Sequence, residues 1–444
     1  MAIQDDINNF NANNTVEDLL VLSAQTYSNT TNRSFFVATI DDLPNLTNNT
    51  ISLGTVFYVE SLGVPVIAQV GCWTGLDNRQ LRNDCDLARA YAWGDGSFGR
   101  LGDNTAANKS SPVSVVGGFT DWCQVSAGCV HSLGVRCNGT AWGWGLGACG
   151  RLGDNTITDK SSPVSIVGGF TDWRQVSAGR CHSLGLRSNG TAWAWGHNNY
   201  GKLGDNTNVD KSSPVSVVGG FTDWCQVSAG NNHSLGVRCN GTAWAWGIND
   251  QGRLGDNTNT SRRSPVSVVG GFTDWCQLSS GFAHSLGVRQ NGSAWAWGCN
   301  ASGILGDNTT VSRSSPVSIV GGFTDWCQVS AGTLHSLGLR TSGSIWSWGQ
   351  AALGRLGDNT AVSKSSPVSV VGGITNWCQI SASGTHSLAL RRDGSVWAWG
   401  YNNVGQLGDN TVVAKSSPVS VVGGFTDWCQ VSAGNSHSLG VLTF

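Results

Sequence analysis

Along residues 182–232, apolar and polar side chains alternate in four short runs: His182–Arg187, Thr191–Gly196, Pro214–Val218 and Thr222–Ala229, each bounded by turn-forming residues. Alternation with period two is the mark of a half-buried strand, so the stretch predicts four short strands. The pattern returns seven times at a constant interval of 51 residues. The second aromatic of Trp-x-Trp-Gly, or of Tyr91-Ala92-Trp93-Gly94 in the first copy, falls at Trp93, Trp144, Trp195, Trp246, Trp297, Trp348 and Trp399. Leu-Gly-Asp-Asn-Thr begins at Leu101 and recurs in step to Leu407, and a His recurs from His131 to His437. Asn189-Gly190 predicts a two-residue type I′ hairpin turn, with Asn138-Gly139, Asn240-Gly241, Asn291-Gly292 and Asp393-Gly394 as its copies and Ser342-Gly343 as a weaker one. Pro214 is expected to open the third strand, where a missing N–H is tolerated.

Seven four-stranded units predict an all-β fold, a seven-bladed β-propeller over residues 87–444, in which radial repetition leaves only short protected edges. Trp193 and Trp195 fall on one strand face and Ala192 and Ala194 on the other, while Leu184 and Leu186 oppose Ser183 and Gly185. A bulky face on one blade can therefore pack against a small-residue face on the next. The last unit stops at His437–Phe444 without its second hairpin strand, and Leu87–Gly94 is a second strand without a first. Residues 87–94 are thus expected to pair with 437–444 and close the ring.

Composition follows from the repeat. There are 61 Gly and 21 Trp against one Met, and only 12 % of residues are charged, which excludes both a disordered chain and, without Gly at every third position, a collagen. Twenty of the 21 Trp lie in the repeats, which hold no Glu. The net charge of −2 gives no basic excess for nucleic acid, although residues 1–86 carry ten acids against three bases and residues 87–444 carry 18 against 23. The first residues have neither the basic nor the apolar region of a signal peptide, and no run of about 18 apolar residues exists, so neither export nor membrane insertion is expected.

The run Gly-x-x-His-Ser-Leu-x-x-Arg-x-Asn-Gly-x-x-Trp-x-Trp-Gly-x-Asn-x-x-Gly-x-Leu-Gly-Asp, repeated through residues 87–444, resembles the regulator of chromosome condensation repeat. The resemblance implies a seven-bladed propeller that serves as a protein-binding platform. Members of that family exchange nucleotide on a small GTPase, inhibit β-lactamases or sense UV-B light. The exchange activity depends on an inserted β-wedge, and no unit here carries an insertion. The light sensor has Trp directly after the Gly that precedes the repeat His, where this chain has Cys129, Arg180, Asn231, Phe282, Thr333 and Asn435. Neither activity is expected.

Residues 1–86 read as a separate α+β module. Val16, Leu19, Leu20 and Ser23-Ala24, preceded by Asn14-Thr15 and with Glu17-Asp18 in the first turn, predict a short helix over 16–24, and Phe35–Ile40, Gly54–Glu60 and Val64–Val70 predict strands, the last two joined as a hairpin through Ser61-Leu62-Gly63. The segments Val37–Pro44, Gly54–Glu60 and Gly71–Arg79 resemble small modules in structural proteins of tailed marine phages. That resemblance implies a module that attaches to other virion proteins.

No catalytic fingerprint is present, and no enzyme activity, cofactor or metal is expected. Seven equivalent His around a ring cannot all be the base of one site; the expected role is to satisfy backbone groups at a strand start. The Asp of Leu-Gly-Asp and of Thr-Asp-Trp are read as turn-stabilising acids. Of 14 Cys, six recur at one repeat position, Cys123, Cys225, Cys276, Cys327, Cys378 and Cys429, and are read as small buried apolar side chains, reduced in an intracellular assembly. Cys72 and Cys85 could pair; their spacing does not decide it.

The copies differ mainly in two loops, the pair of residues before each His and the stretch after each Trp-Gly. In a simple meander both lie on one face, with the constant turns on the other. Phe98, Arg180, His197, Tyr200, Asn231, Asn232, Phe282, Leu334 and Tyr401 are the candidate binding residues there, aromatics and Arg being the types that anchor interfaces. Together these readings point to a non-enzymatic virion protein, an appendage or tail- or capsid-associated protein assembled in the host cytoplasm. In it residues 1–86 anchor to the particle and the propeller binds a host surface or partner protein. The alternative is a cellular propeller that binds and regulates or inhibits another protein.

Overall fold

Runs of five or six alternating residues, separated by glycine turns, are too short to bury a face alone, and here they do so in groups of four. The computed structural model describes residues 55–59, 64–68 and 88–443 of the 444-residue chain. In the first unit β1 (Thr55–Val59) pairs antiparallel with β2 (Val64–Ala68), Thr55 opposite Ala68 and Val59 opposite Val64, as the expected hairpin requires. The expected helix at 16–24, the strand at 35–40, and Cys72 and Cys85 lie outside the described residues.

The second unit is a seven-bladed β-propeller of antiparallel four-stranded meanders. It opens with β3 (Ala88–Gly94) and β4 (Lys109–Ser114). The first blade contained in one stretch of chain is β5 (Trp122–Ala127), β6 (His131–Arg136), β7 (Ala141–Gly145) and β8 (Lys160–Ser165), in spatial order 5-6-7-8. The chain enters each blade on the innermost strand. β3 and β4 complete the last blade with Trp428–Ala433 and His437–Thr443: Ala88 stands opposite Thr443, Arg89 opposite Leu442 and Gly94 opposite His437. The expected closure is therefore present. Leu442 is buried and takes the place that Arg136, Arg187, Arg238, Arg289, Arg340 and Arg391 hold in the other units.

Two local expectations are corrected. The hairpin turn has three residues rather than two: Arg136 N–H donates to Thr140 O and Gly139 N–H to Arg136 O, and of Asn138 and Gly139 only Gly139 has a positive φ, 76°. This is the type I turn with a left-handed third residue that also suits right-twisted strands, and the backbone of Thr171 comes so close to Gly139 that a Cβ there would strike it. Pro163 sits inside β8 rather than at its start. β8 is the outermost strand, and the register shifts between Gly143 opposite Val164 and Gly145 opposite Lys160, so a missing N–H is harmless.

Blades stack as the alternation requires. Ala88, Ala90, Ala92, Leu439 and Val441 of the closing blade pack against Trp122, Val125 and Trp144 of the next, and Leu184, Leu186, Ala192 and Ala194 pack against Trp224, Val227 and Trp246. Each such Trp removes roughly 200 Å² from water, about 5 kcal/mol of gross burial energy.

Polar side chains complete the interfaces. On the innermost strands Gln124 imitates a neighbouring strand, its Oε1 accepting the Val176 N–H at 2.7 Å and its Nε2 donating to Val176 O at 3.1 Å, while Ser126 Oγ accepts the Ala178 N–H at 3.0 Å. The motif runs round the ring until Gln430 accepts the Val125 N–H at 2.8 Å, so no innermost edge is left to template another strand. A second ring joins His131 Nε2 to Ser183 Oγ at 2.9 Å, His182 to Ser234, and so on until His437 meets Ser132. Ser183 Oγ donates to Arg151 O at 2.8 Å, so its oxygen accepts from the imidazole and the ring proton resides on Nε2. The repeat His are thus structural, as expected, but they grip the next blade's serine rather than backbone groups. The Asp of Leu-Gly-Asp stabilise turns, Asp103 Oδ1 accepting the Thr105 N–H at 3.0 Å. The Asp of Thr-Asp-Trp do something else: Asp121 Oδ1 accepts from Arg136 Nε at 2.7 Å, and that guanidinium lies 4.3 Å from the centre of the Phe119 ring.

The cysteine expectation is overturned in two blades. Cys123 is bonded to Cys137 and Cys225 to Cys239, each with Cα atoms 5.1 Å apart. The reason is a bulge: the register shifts between Trp122 and Gln124, which leaves Cys123 out of the ladder beside the residue that follows β6. Only two units hold Cys at that second position. Where it is Gln290, Thr341 or Arg392, the thiols of Cys276, Cys327 and Cys378 donate to the carbonyls of Val288, Leu339 and Leu390 instead. Among the described residues, no helix is long and apolar enough to cross a membrane.

Candidate binding face

The meander sets which loops share an end. In the β5–β8 blade, residues 128–130 and 146–159 leave at one end and 137–140 and 166–172 at the other, so the two variable loop families share one face in every blade. Nearest the innermost strands the first loops link blade to blade: Cys129 N–H donates to Gly179 O, Arg180 N–H to Gly230 O, Asn231 N–H to Gly281 O and Phe282 N–H to Gly332 O. The longer loops start at the same face, and each sends a buried Leu, such as Leu203, between the blades.

The tip of the longer loop is a single tight turn whose central residue is left-handed: Phe98 (φ 62°), Cys149 (61°), Tyr200 (65°), Ser302 (61°) and Leu353 (64°). A bulky residue in that region is strained by about 1 kcal/mol or more, and such strain gathers at functional positions. Phe98, Tyr200 and Leu353 are each 47 % exposed. Every exposed large apolar side chain among the described residues belongs to these loops, the others being Phe282, Ile157, Val209, Val311, Val362, Val412 and Val413.

The candidates divide on this geometry. Phe98, Arg180, Tyr200 and Phe282 are exposed, and His197, Leu334 and Tyr401 are partly covered. Asn231 is not displayed: it is buried and its Oδ1 accepts from Arg180 Nη1 at 3.3 Å, while the partly covered Asn232 has its Oδ1 engaged by Lys202 Nζ at 2.8 Å. Leu353, Ile157 and the loop valines were missed; their signal is an isolated apolar residue inside a polar loop.

Beneath the face lies a layer of buried cations, Arg100, Arg151, Lys202, Arg253 and Arg355. Arg100 pairs with Asp95 at 3.0 Å and Arg253 with Asp250. Arg151 spends its donors on Ala148 O and Arg180 O, and Arg355 on Ala352 O and Gly384 O, so both brace the first loops. Lys202 donates to Asn232 and lies 3.2 Å from His197 Nδ1; burial lowers its pKa to about 8. Burial likewise holds the seven repeat His neutral.

Fold and face together define a closed tandem-repeat β-propeller with one diversified loop surface. The chain belongs to the RCC1-like domain family, whose pattern it matches over residues 86–323 and 221–443. It is 28 % identical over 337 residues to the ultraviolet-B receptor UVR8 of Arabidopsis thaliana, covering 74 % of this chain and 76 % of that protein. It is 27 % identical over 369 residues to the human E3 ubiquitin-protein ligase HERC2, covering 80 % of this chain but only 8 % of that protein. The fold superposes on Prp20p of Saccharomyces cerevisiae, a structure described with its binding to Gsp1p and histones, with a TM-score of 0.73 at 20 % identity over 80 % of this chain and 92 % of that one.

Proposed function

We propose that this propeller is a non-enzymatic platform whose loop face docks a partner protein and thereby regulates it. The observation that carries the reading is the confinement, among the described residues, of the exposed large apolar side chains to the two diversified loop families, with Phe98, Tyr200 and Leu353 held in strained backbone. The relatives support it: one is named a receptor, and Prp20p is described as binding a partner protein and histones. The match to HERC2 spans too little of that protein to carry its ligase activity across. The test compares proteins captured by the unmodified propeller with those captured by a Phe98→Ala, Tyr200→Ala, Phe282→Ala, Leu353→Ala variant of equal melting temperature. A partner lost only by the variant supports the platform, and identical capture refutes it.

The virion reading rests on the phage-like segments 37–44, 54–60 and 71–79, of which the structure describes only 55–59, together with the expected lack of an export signal and the diversified face. The comparisons, which reach cellular proteins, favour the regulator over it. Immunogold labelling of purified particles separates the two.

A further inference from the structure

Three donors of different kinds meet at one blade junction. Cys149 Sγ, a ring nitrogen of His197 and a carboxylate oxygen of Asp210 all lie within 4.8 Å of one another. Cys149 stands at the tip of one blade's long loop, and His197 and Asp210 come from the two ends of the next blade's loop. The contact that joins them is general: Gly150 packs on Ser212, as Gly99 packs on Ser161 and Gly252 on Ser314, so every junction brings these three positions together.

The repeat therefore supplies its own controls. The equivalent trios elsewhere are Phe98, Leu146, Asp159; Tyr200, Ile248, Ser261; Gln251, Cys299, Ser312; Ser302, Gln350, Ser363; Leu353, Tyr401, Ala414; and Val404, Asp95, Asn108. Only one junction of the seven holds sulfur, imidazole and carboxylate at once.

Each donor is also held in place. Cys149 sits in its left-handed turn, closed by Gly150 N–H donating to Gly147 O. Asp210 Oδ1 accepts the Asn198 N–H at 2.7 Å, and its carboxylate also accepts from the Cys149 thiol, whose proton an ion would displace. His197 Nδ1 lies 3.2 Å from Lys202 Nζ, so Nε2 is the ring nitrogen available. Bonds of about 2.0 to 2.3 Å would set tetrahedral donors roughly 3.5 Å apart, a contraction that side-chain rotation can supply.

We propose that Cys149, His197 and Asp210 form a binding site for one borderline-soft divalent cation such as Zn²⁺, with three protein ligands and a fourth position open to water or another ligand. The site belongs to one interface and does not depend on the platform reading. Binding displaces the thiol proton to solvent.

The probe is Co²⁺ titrated into the full-length protein with its two disulfides intact and no thiol reductant present. The expected result is a thiolate-to-metal charge-transfer band saturating at one equivalent, displaced by Zn²⁺. Cys149→Ser abolishes the band, His197→Asn and Asp210→Asn each weaken binding by about tenfold or more, and Cys299→Ser, at another junction, changes nothing. No band in the unmodified protein, or a band that survives Cys149→Ser, overturns the site. Zinc-edge X-ray absorption on unmodified protein is independent of any variant's folding: one sulfur with nitrogen and oxygen neighbours supports the assignment, and two or more sulfurs refute it.

Discussion

His131 Nε2 and Ser183 Oγ, 2.9 Å apart and both fully buried, join two blades through a single hydroxyl that also donates to Arg151 O. Ser183→Ala leaves the imidazole N–H without a partner and takes from that carbonyl one of its two donors, the Trp195 Nε1–H at 2.9 Å remaining. An unmet buried group costs about 1–3 kcal/mol, so chemical denaturation should show a loss of about 1–3 kcal/mol, with an unchanged midpoint counting against the ring.

The seven repeat His predict an acid limit. Burial pushes His284 and His386 down to about 3 and holds the other five well below the usual 6.5. An unfolded His binds its proton near pH 6.5 and the folded one cannot, so stability is complete above about 6.5 and falls with pH below it, by about 1.4 kcal/mol per unit per site. Seven sites together lose on the order of 10 kcal/mol per pH unit. Tryptophan fluorescence should record one steep transition between about pH 6 and 4.5; a fold intact at pH 4 would show that these groups are not desolvated as described.

Closure predicts a large effect from a small deletion. Removing 437–444 takes away the strand that pairs with β3, together with buried Leu439, Val441 and Leu442. Calorimetry should show a sharply lower, broader melt, whereas an unchanged melt would mean that the ring does not depend on this pairing.

The two disulfides close loops with a sequence separation of 14. Loops of that size stabilise by about 3 kcal/mol each. Thiol blocking of the denatured, unreduced protein should spare Cys123, Cys137, Cys225 and Cys239, and reduction should lower the melting temperature by several degrees.

At the left-handed tips, glycine separates stability from binding. Tyr200→Gly and Phe98→Gly relieve strained backbone and should leave stability unchanged or raise it by up to about 1 kcal/mol, while partner capture falls. Retained capture would show that these side chains are not the anchors.

The seven blades, their strands and their closure were legible because each strand is local and the 51-residue period restates it seven times. What depends on contact between units was not. Cys137 looks like loop variation until the bulge at Cys123 brings it alongside. Asn231 looks like a displayed loop residue until Arg180, 51 positions earlier in the repeat, covers it. The seven His gave their structural role but not their serines, since a bond from His131 to Ser183 spans two blades. Cys149, His197 and Asp210 have no metal-binding spacing along the chain; the packing of two blades creates it.

Near-identical units also make assembly a counting problem, because β3 meets several strands that read His-Ser-Leu-Gly. The pair Arg89 and Leu442 gives the chain a way to count. On any other unit Arg89 would face Arg136, Arg187, Arg238, Arg289, Arg340 or Arg391, and like charges directly opposite one another destabilise a pair. A ring that shut one blade early would thus begin with a repulsion, and only the seventh partner lets the zip run to its end.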